Sequence, residues 1–528
     1  MNFYKFIIAR LNGRDIEKEF DYYLRLVKKG IAGFIVFGGE LNTVRRGISE
    51  LQKEADERLI IASDLEQGLG QQLEGGTIFQ PAMAIAKAIQ NSKFKIQSSK
   101  LKILRRVFKA IAIEARYAGI NTIFAPVLDI NTNPKNPIIS TRAFGEDPES
   151  VSFFGCEMIK TFQSHGITAC GKHFPGHGDT ETDSHIKLPK IKKDIKSLSK
   201  AELVPFRNAV KAGVKMIMMG HLNVPALDPS GIPVSLSQKA VSYLRKNLGF
   251  KGIVITDAMN MGGVGKYSEE EASLMALNAG VDILLHPTDP DSVVSFLSTP
   301  PRPPSTSHGL IKGGIRGGRR LRIFRDGLIR FPSKALPDFE SHRKLSEELT
   351  KKAIKVSGEI KIKGKPFLII LDDEGDAPSP IPLPQGEGLK GRVEDVSLSE
   401  KGRILAERLK EKFPDLKLQI VKHDSEIQKV IFPDNSFAIV AVFSGIRAWK
   451  GGSSPWLLKS ITELKDRAEI FVSFGSPYLI DNIRDRIGDC PRFTDRAKRS
   501  RRIGTDPVVK IYAYWDSEAA QKAVAEVI

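Results

Sequence analysis

Eight short, continuous apolar runs punctuate the first ~290 residues. They are Phe3–Ala9, Gly33–Phe37, Leu59–Ala62, Thr122–Leu128, Ile167–Cys170, Lys215–Met219, Gly252–Thr256 and Val281–Leu285. Continuous rather than alternating apolar runs indicate strands buried on both faces, the condition of a parallel sheet. Longer stretches with helical spacing, such as Asp15–Lys29 and Leu101–Tyr117, separate them. Eight β/α units over this length predict a (β/α)8 barrel, with a doubly wound open sheet as the competitor. The barrel makes a positional demand: functional side chains belong just after the strands. Asp64, Asp129, Lys172, His173, His221 and Asp257 each follow one of the runs.

A second α/β region follows, expected as a sandwich domain over residues 336–528. Its strand candidates are Phe367–Leu371, Leu416–Val421, Phe437–Phe443, Ile470–Phe474 and Val508–Tyr514, with helical Arg343–Val356 and Ser399–Lys412. The barrel is expected over 1–298 and a basic, low-complexity linker or insertion over 299–335. Further insertions are expected near 376–392, which contains Pro378–Gly388, and 488–506.

Charge has to be located before it is interpreted. Of the formal net charge of +18, residues 302–334 carry +8 and residues 490–505 carry +5. Both stretches lack a helical or strand period and interleaved aromatics. They read as solvated surface, attracting polyanions nonspecifically without specific nucleic-acid recognition. No apolar run approaches the ~20 residues of a membrane helix, and the N-terminus reads as a first strand rather than a signal. Cys156, Cys170 and Cys490 lack metal or redox spacing. The expectation is a cytoplasmic protein, unless a leader precedes this sequence. Oligomeric state is not legible.

The densest chemistry lies in Lys172-His173-Phe174-Pro175-Gly176-His177-Gly178-Asp179-Thr180 and Asp183-Ser184-His185. Pro175 and Gly176 cannot continue the strand before them, so the polar groups are expected on a loop at its end. His185 with Asp183 nearby has the composition of an oriented acid/base pair, whose pKa suits proton exchange near neutrality. It could equally be a structural loop pair. Asp257, closing its apolar run, could cap a helix or act as a carboxylate nucleophile or charge stabiliser. His173, His177 and His185 could also bind metal, but Pro and Gly between the first two remove the helical i, i+4 geometry; no metal and no cofactor is expected.

These motifs, in order, resemble glycoside hydrolase family 3 β-N-acetylhexosaminidases of the NagZ type. The likeness extends through Phe124–Asn131, Asn136-Pro137, Arg142–Pro148, His221–Asp228 and the Asp257 segment. Ser473–Tyr478 resembles part of the C-terminal α/β sandwich of longer members. The resemblance implies a retaining exo-β-N-acetylglucosaminidase acting on peptidoglycan fragments, in peptidoglycan recycling. Asp257 would be the nucleophile and His185, oriented by Asp183, the acid/base. Lys172, His173, Arg142, Asp64 and His221 would bind the sugar, although Arg142 and Lys172 could instead be ion-pair partners at the barrel rim. After the third strand the family pattern Asp-x-Glu-Gly-Gly-x-Val-x-Arg becomes Asp64-Leu65-Glu66-Gln67-Gly68-Leu69-Gly70-Gln71-Gln72. Gln72 thus replaces a sugar-contacting arginine, losing its charge and bidentate fork. A β-glucosidase, a phosphorolytic enzyme, or a noncatalytic sugar- or polyanion-binding protein are the alternatives.

Overall fold

The computed structural model describes all residues except 1, 91–97, 183, 185–186, 300–313, 361–363, 374–401, 423, 428, 445–453, 466, 482–508 and 516. It divides into two compact units, Met1–Ser346 and Glu347–Ile528.

In the first unit, β1 (Ile7–Asn12), β2 (Gly33–Phe37), β3 (Ile60–Ser63), β4 (Thr122–Ile123), β5 (Thr168–Phe174), β6 (Met216–Met219), β7 (Ile253–Ala258) and β8 (Ile283–Leu285) close into a barrel. Every neighbouring pair is parallel, and β1 pairs with β8 through Ile7–Leu284 and Ile8–Leu285. Closure excludes the open doubly wound sheet. The runs are apolar because one face of each strand meets the barrel interior and the other meets the surrounding helices. Phe34 of β2, for example, packs edge-on against Tyr23 of the helix Phe20–Lys28, with ring centroids 5.6 Å apart.

Local chemistry sets the helix boundaries. Asp147 caps the helix Pro148–Ser164 by accepting from the Ser150 backbone N–H, and Pro148 supplies the fixed φ of a first turn. Ser268 and Glu271 form a reciprocal capping box on Glu269–Ala279, which Gly280 ends in the left-handed region at φ 98°.

Two features differ from the expectation. The basic stretch predicted to be irregular contains the helix Gly314–Asp326. Arg320 pairs with buried Asp282, Arg325 with Glu57, and Leu321 is buried. Tertiary ion pairs and one apolar anchor thus compensate for a weak helical period. The Lys172-His173 pair lies within β5 rather than on a loop beyond it. Val127 bridges Lys172 on one side and Phe174 pairs with Met219 on the other, so the strand continues through a register shift after Gly171.

The second unit holds a six-stranded mixed sheet. With β9 (Lys355–Ser357), β10 (Lys365–Asp372), β11 (Lys417–Val421), β12 (Ser436–Ser444), β13 (Ile470–Gly475) and β14 (Val509–Tyr512), its order is β11-β10-β12-β13-β14-β9. Only β9 runs antiparallel. Its helix Arg403–Lys412 buries Leu405 and Leu409 in a cluster with Leu368, Phe443 and Val524. The expected insertion segments Pro378–Gly388 and 488–506 lie outside the described residues, as does Cys490.

Candidate active site

The C-terminal ends of β3, β4, β5 and β7 bring the expected residues to one end of the barrel. Lys172 is 3% exposed at its side chain and places Nζ 2.7 Å from both Asp64 Oδ1 and Glu66 Oε1. Arg142 donates to both Glu66 oxygens, from Nε at 2.9 Å and Nη2 at 2.8 Å, and from Nη1 to the Ile138 carbonyl. Burial alone would neutralise Glu66, Arg142 and Lys172. Their mutual attraction reverses that effect: Glu66 is held far below the usual carboxylate range by Arg142 and Lys172 despite burial, and both cations are pushed up by their acids. Two cations and the Glu66 carboxylate therefore stay ionised in a largely enclosed place. Asp64, the more exposed of the two acids, has an oxygen to offer a ligand.

Asp129 is fully buried on the segment that follows β4. It accepts from the His173 and His177 backbone N–H groups at 3.1 and 2.7 Å and meets His173 Nδ1 at 2.7 Å. Burial would raise its pKa, but His173 and His177 outweigh that and lower it. Fixing Nδ1 in this way aims the other ring nitrogen of His173 away from the acid. His177 packs near His173, with its ring between the Thr180 and Ser184 hydroxyls at 2.7 and 3.0 Å. Burial pushes His177 down to about 4, so its ring is neutral.

Asp257 stands near the end of β7 and accepts from the Ala258 backbone N–H at 2.9 Å. Its charge reaches both His177 and Cys170, and Cys170 also feels Lys172 and Asp64. Strand register agrees: Thr256, just before Asp257, pairs with Met219, which pairs with Phe174 at the end of β5, two residues beyond Lys172. His221 is fully buried, with Nδ1 2.7 Å from Ser235 Oγ and Nε2 2.9 Å from the Ala258 carbonyl. A carbonyl only accepts, so Nε2 carries the proton and braces the residue after Asp257. Gln72 lies beside Asp64, its amide nitrogen 3.5 Å from the Asp64 carbonyl.

Asp183 and His185, the expected acid/base pair, lie outside the described residues. Ser184 between them is described and buried; besides His177, its carbonyl accepts from the Gly263 backbone N–H at 2.8 Å. Sequence reasoning gave no role to Glu66 or Ser184. Glu66 carried a usable signal, standing two residues after Asp64 on the same loop. Among the described residues, no group of three or more His, Cys, Asp or Glu is arranged to hold a metal ion. No described helix is long and apolar enough to cross a membrane.

Residues 16–299 match the family model described as the glycosyl hydrolase family 3 N terminal domain. The chain is 35% identical over 280 residues to "Beta-hexosaminidase A" of Pseudoalteromonas piscicida, covering 49% of this chain and 46% of that protein. It is 31% identical over 274 residues to "Beta-hexosaminidase" of Neisseria meningitidis serogroup C, covering 51% and 74%. The chain spans about half the length of the first of these relatives. A solved glycoside hydrolase family 3 β-N-acetylglucosaminidase from Paenibacillus sp. str. FPU-7 shares the fold, with a TM-score of 0.76 and 24% identity over 100% of this chain and 95% of that one.

Proposed function

Because the chain belongs to glycosyl hydrolase family 3, we propose that it is a retaining exo-β-N-acetylglucosaminidase. Its substrates would carry terminal β-linked N-acetylglucosamine, and peptidoglycan fragments met in the cytoplasm during recycling are the proposed source. The observation that carries the reading is Asp257 near the end of β7, in register with the end of β5 that bears the Lys172–Asp64–Glu66–Arg142 network.

In this reading the Asp257 carboxylate attacks the anomeric carbon while His185, oriented by Asp183, protonates the departing oxygen. A glycosyl ester on Asp257 results. His185 then takes a proton from water, which displaces the ester with overall retention. Lys172, Asp64, Arg142 and His173 hold the sugar hydroxyls by charge-assisted hydrogen bonds. His221 acts through Ala258 as a positioning residue for Asp257.

Glucoside cleavage and phosphorolysis form the second reading. The uncharged Gln72 amide beside Asp64 favours it, because Gln72 lacks an arginine's charge and bidentate fork. One relative, from Cellulomonas fimi, carries the double name "Beta-N-acetylglucosaminidase/beta-glucosidase". The deciding experiment follows paired aryl β-N-acetylglucosaminide and β-glucoside substrates by NMR, with and without phosphate. First release of the β-anomer of N-acetylglucosamine supports the proposal. Release of the α-anomer first, or preference for the glucoside, overturns it.

A further inference from the structure

The opposite side of the barrel mouth carries groups that the proposed reaction does not use. Arg10 is exposed although it lies within β1 between buried Ala9 and Leu11. Its facing follows from the ladder. Phe34 packs outward on Tyr23, so by strand alternation Ile35 and Phe37 face the barrel axis. Arg10 pairs in register with Ile35 and therefore shares that inner face. Its guanidinium carbon stands 5.2 Å from the Phe37 ring centroid, and Phe37 lies 6.0 Å from the His286 ring.

Two further observations mark the place as more than a surface arginine. Arg10 has no carboxylate partner among the described residues, and neither does Arg14, exposed on the loop leaving β1; elsewhere in the mouth, Lys172 and Arg142 are each paired. His286, just beyond β8, is held at φ 49°, a left-handed conformation that a residue with a Cβ rarely adopts and that clusters at functional sites. Burial, with Arg10 beside it, pushes the His286 ring down to about 4, so at neutral pH it adds hydrogen-bonding capacity but no charge.

The ladder and the strand tilt together set the height. Ala258 pairs with Leu285 and Leu285 with Ile8. Because the strands tilt, each step from β7 through β8 to β1 descends by about one residue, so Arg10 stands two strands across, about 10 Å, and level with the Asp257 end of β7, its side chain exposed at the mouth. A sugar seated over Asp257 has the packed barrel beneath it, so the rest of the substrate leaves through the mouth, into which the exposed Arg10 side chain reaches.

We propose that Arg10, stacked on Phe37 and flanked by His286, forms a subsite for a carboxylate on the leaving part of the substrate. The planar fork matches a carboxylate through two parallel hydrogen bonds, and Phe37 keeps the guanidinium flat and presented. The subsite rests on the glycosidase reading and narrows it to acidic leaving groups.

The test compares kcat/KM for N-acetylglucosamine β-linked to a sugar bearing a free carboxylate with that for the same compound as its methyl ester. The wild type is expected to prefer the acid roughly ten- to hundredfold, the worth of one charge-assisted pair. Arg10→Gln should bring the ratio near one, and Arg10→Lys should restore part of it. A wild-type ratio near one, or a ratio unchanged in Arg10→Gln, overturns the subsite. So does phosphate-dependent turnover that Arg10→Gln abolishes, which would make this a site for an acceptor anion. A wild type inert towards both compounds and towards the aryl N-acetylglucosaminide overturns the glycosidase reading and the subsite with it.

Discussion

Ser184 Oγ lies 3.0 Å from His177 Nε2, linking the segment that carries the expected acid/base to the end of β5. The Ser184 carbonyl is tied to Gly263, on the loop after β7. One side chain and one backbone group therefore fasten the residue between Asp183 and His185 to the strand ends on either side of the site. Ser184→Ala should lower kcat three- to tenfold with little change in KM, about the worth of one hydrogen bond, ~1 kcal/mol. Steady-state kinetics beside a melting curve would check it. A lowered melting temperature with unchanged kcat would show a purely structural tie.

His177 makes stability depend on pH in a stated direction. Its folded pKa is about 4 against an ordinary value of 6.5. Between those values the unfolded chain holds a proton that the folded chain lacks. Stability therefore rises with pH across the window, is fully present above about 6.5, and is lost as pH falls towards 4. The limiting contribution is about 3 kcal/mol. Denaturant midpoints at pH 7 and pH 5 should fall further apart for the wild type than for His177→Gln, which keeps a hydrogen-bonding side chain but does not titrate. Equal separations would remove His177 from the account.

Glu66 is shared by Arg142 and Lys172, and this predicts unequal costs within one network. Glu66→Gln leaves two enclosed cations short of an acid and should cost roughly 3–5 kcal/mol. Lys172→Met removes a charge while Glu66 keeps Arg142, so its cost should be smaller, about 1–2 kcal/mol. Thermal unfolding of the two variants gives the order directly. A larger loss for Lys172→Met would mean that Asp64, not Glu66, is the acid the network depends on.

The barrel was legible because parallel strands buried on both faces leave continuous apolar runs, and the observed β2 coincides with the run Gly33–Phe37. The β5 end was not, because what carries that strand through Lys172 and His173 is its neighbours Val127 and Met219, far away in sequence. The short β9 was invisible for another reason: Lys355–Ser357 is exposed throughout and has no apolar run to betray it. In the site, Asp64, Lys172, His173 and Asp257 could be found by their place just after apolar runs, although the last three lie within the ends of β5 and β7. Pairing could not: that Glu66 lies between two cations, or that both His221 nitrogens are occupied, depends on loops folding back over the mouth. Arg10 and His286 went unnoticed because a lone arginine in a first strand and a lone histidine after the last carry no motif.

The division of labour proposed for Asp257 and His185 is open to a sharper test than loss of activity. A nucleophile is needed whatever the leaving group, so Asp257→Ala should lower kcat by at least about a thousandfold on every substrate. An acid matters only as far as the leaving oxygen needs its proton. His185→Ala should therefore spare an activated aryl glycoside such as the dinitrophenyl compound in the bond-breaking step, while slowing an alkyl or sugar glycoside on the order of a hundredfold or more. Because the same imidazole then serves as base, the glycosyl ester should accumulate with the activated substrate, giving a burst of phenolate before a slow steady state. Stopped-flow release of dinitrophenolate measures both phases. Equal slowing of activated and unactivated substrates, with no burst, would take the proton transfer away from His185 and send the search for the acid to the groups facing Asp257.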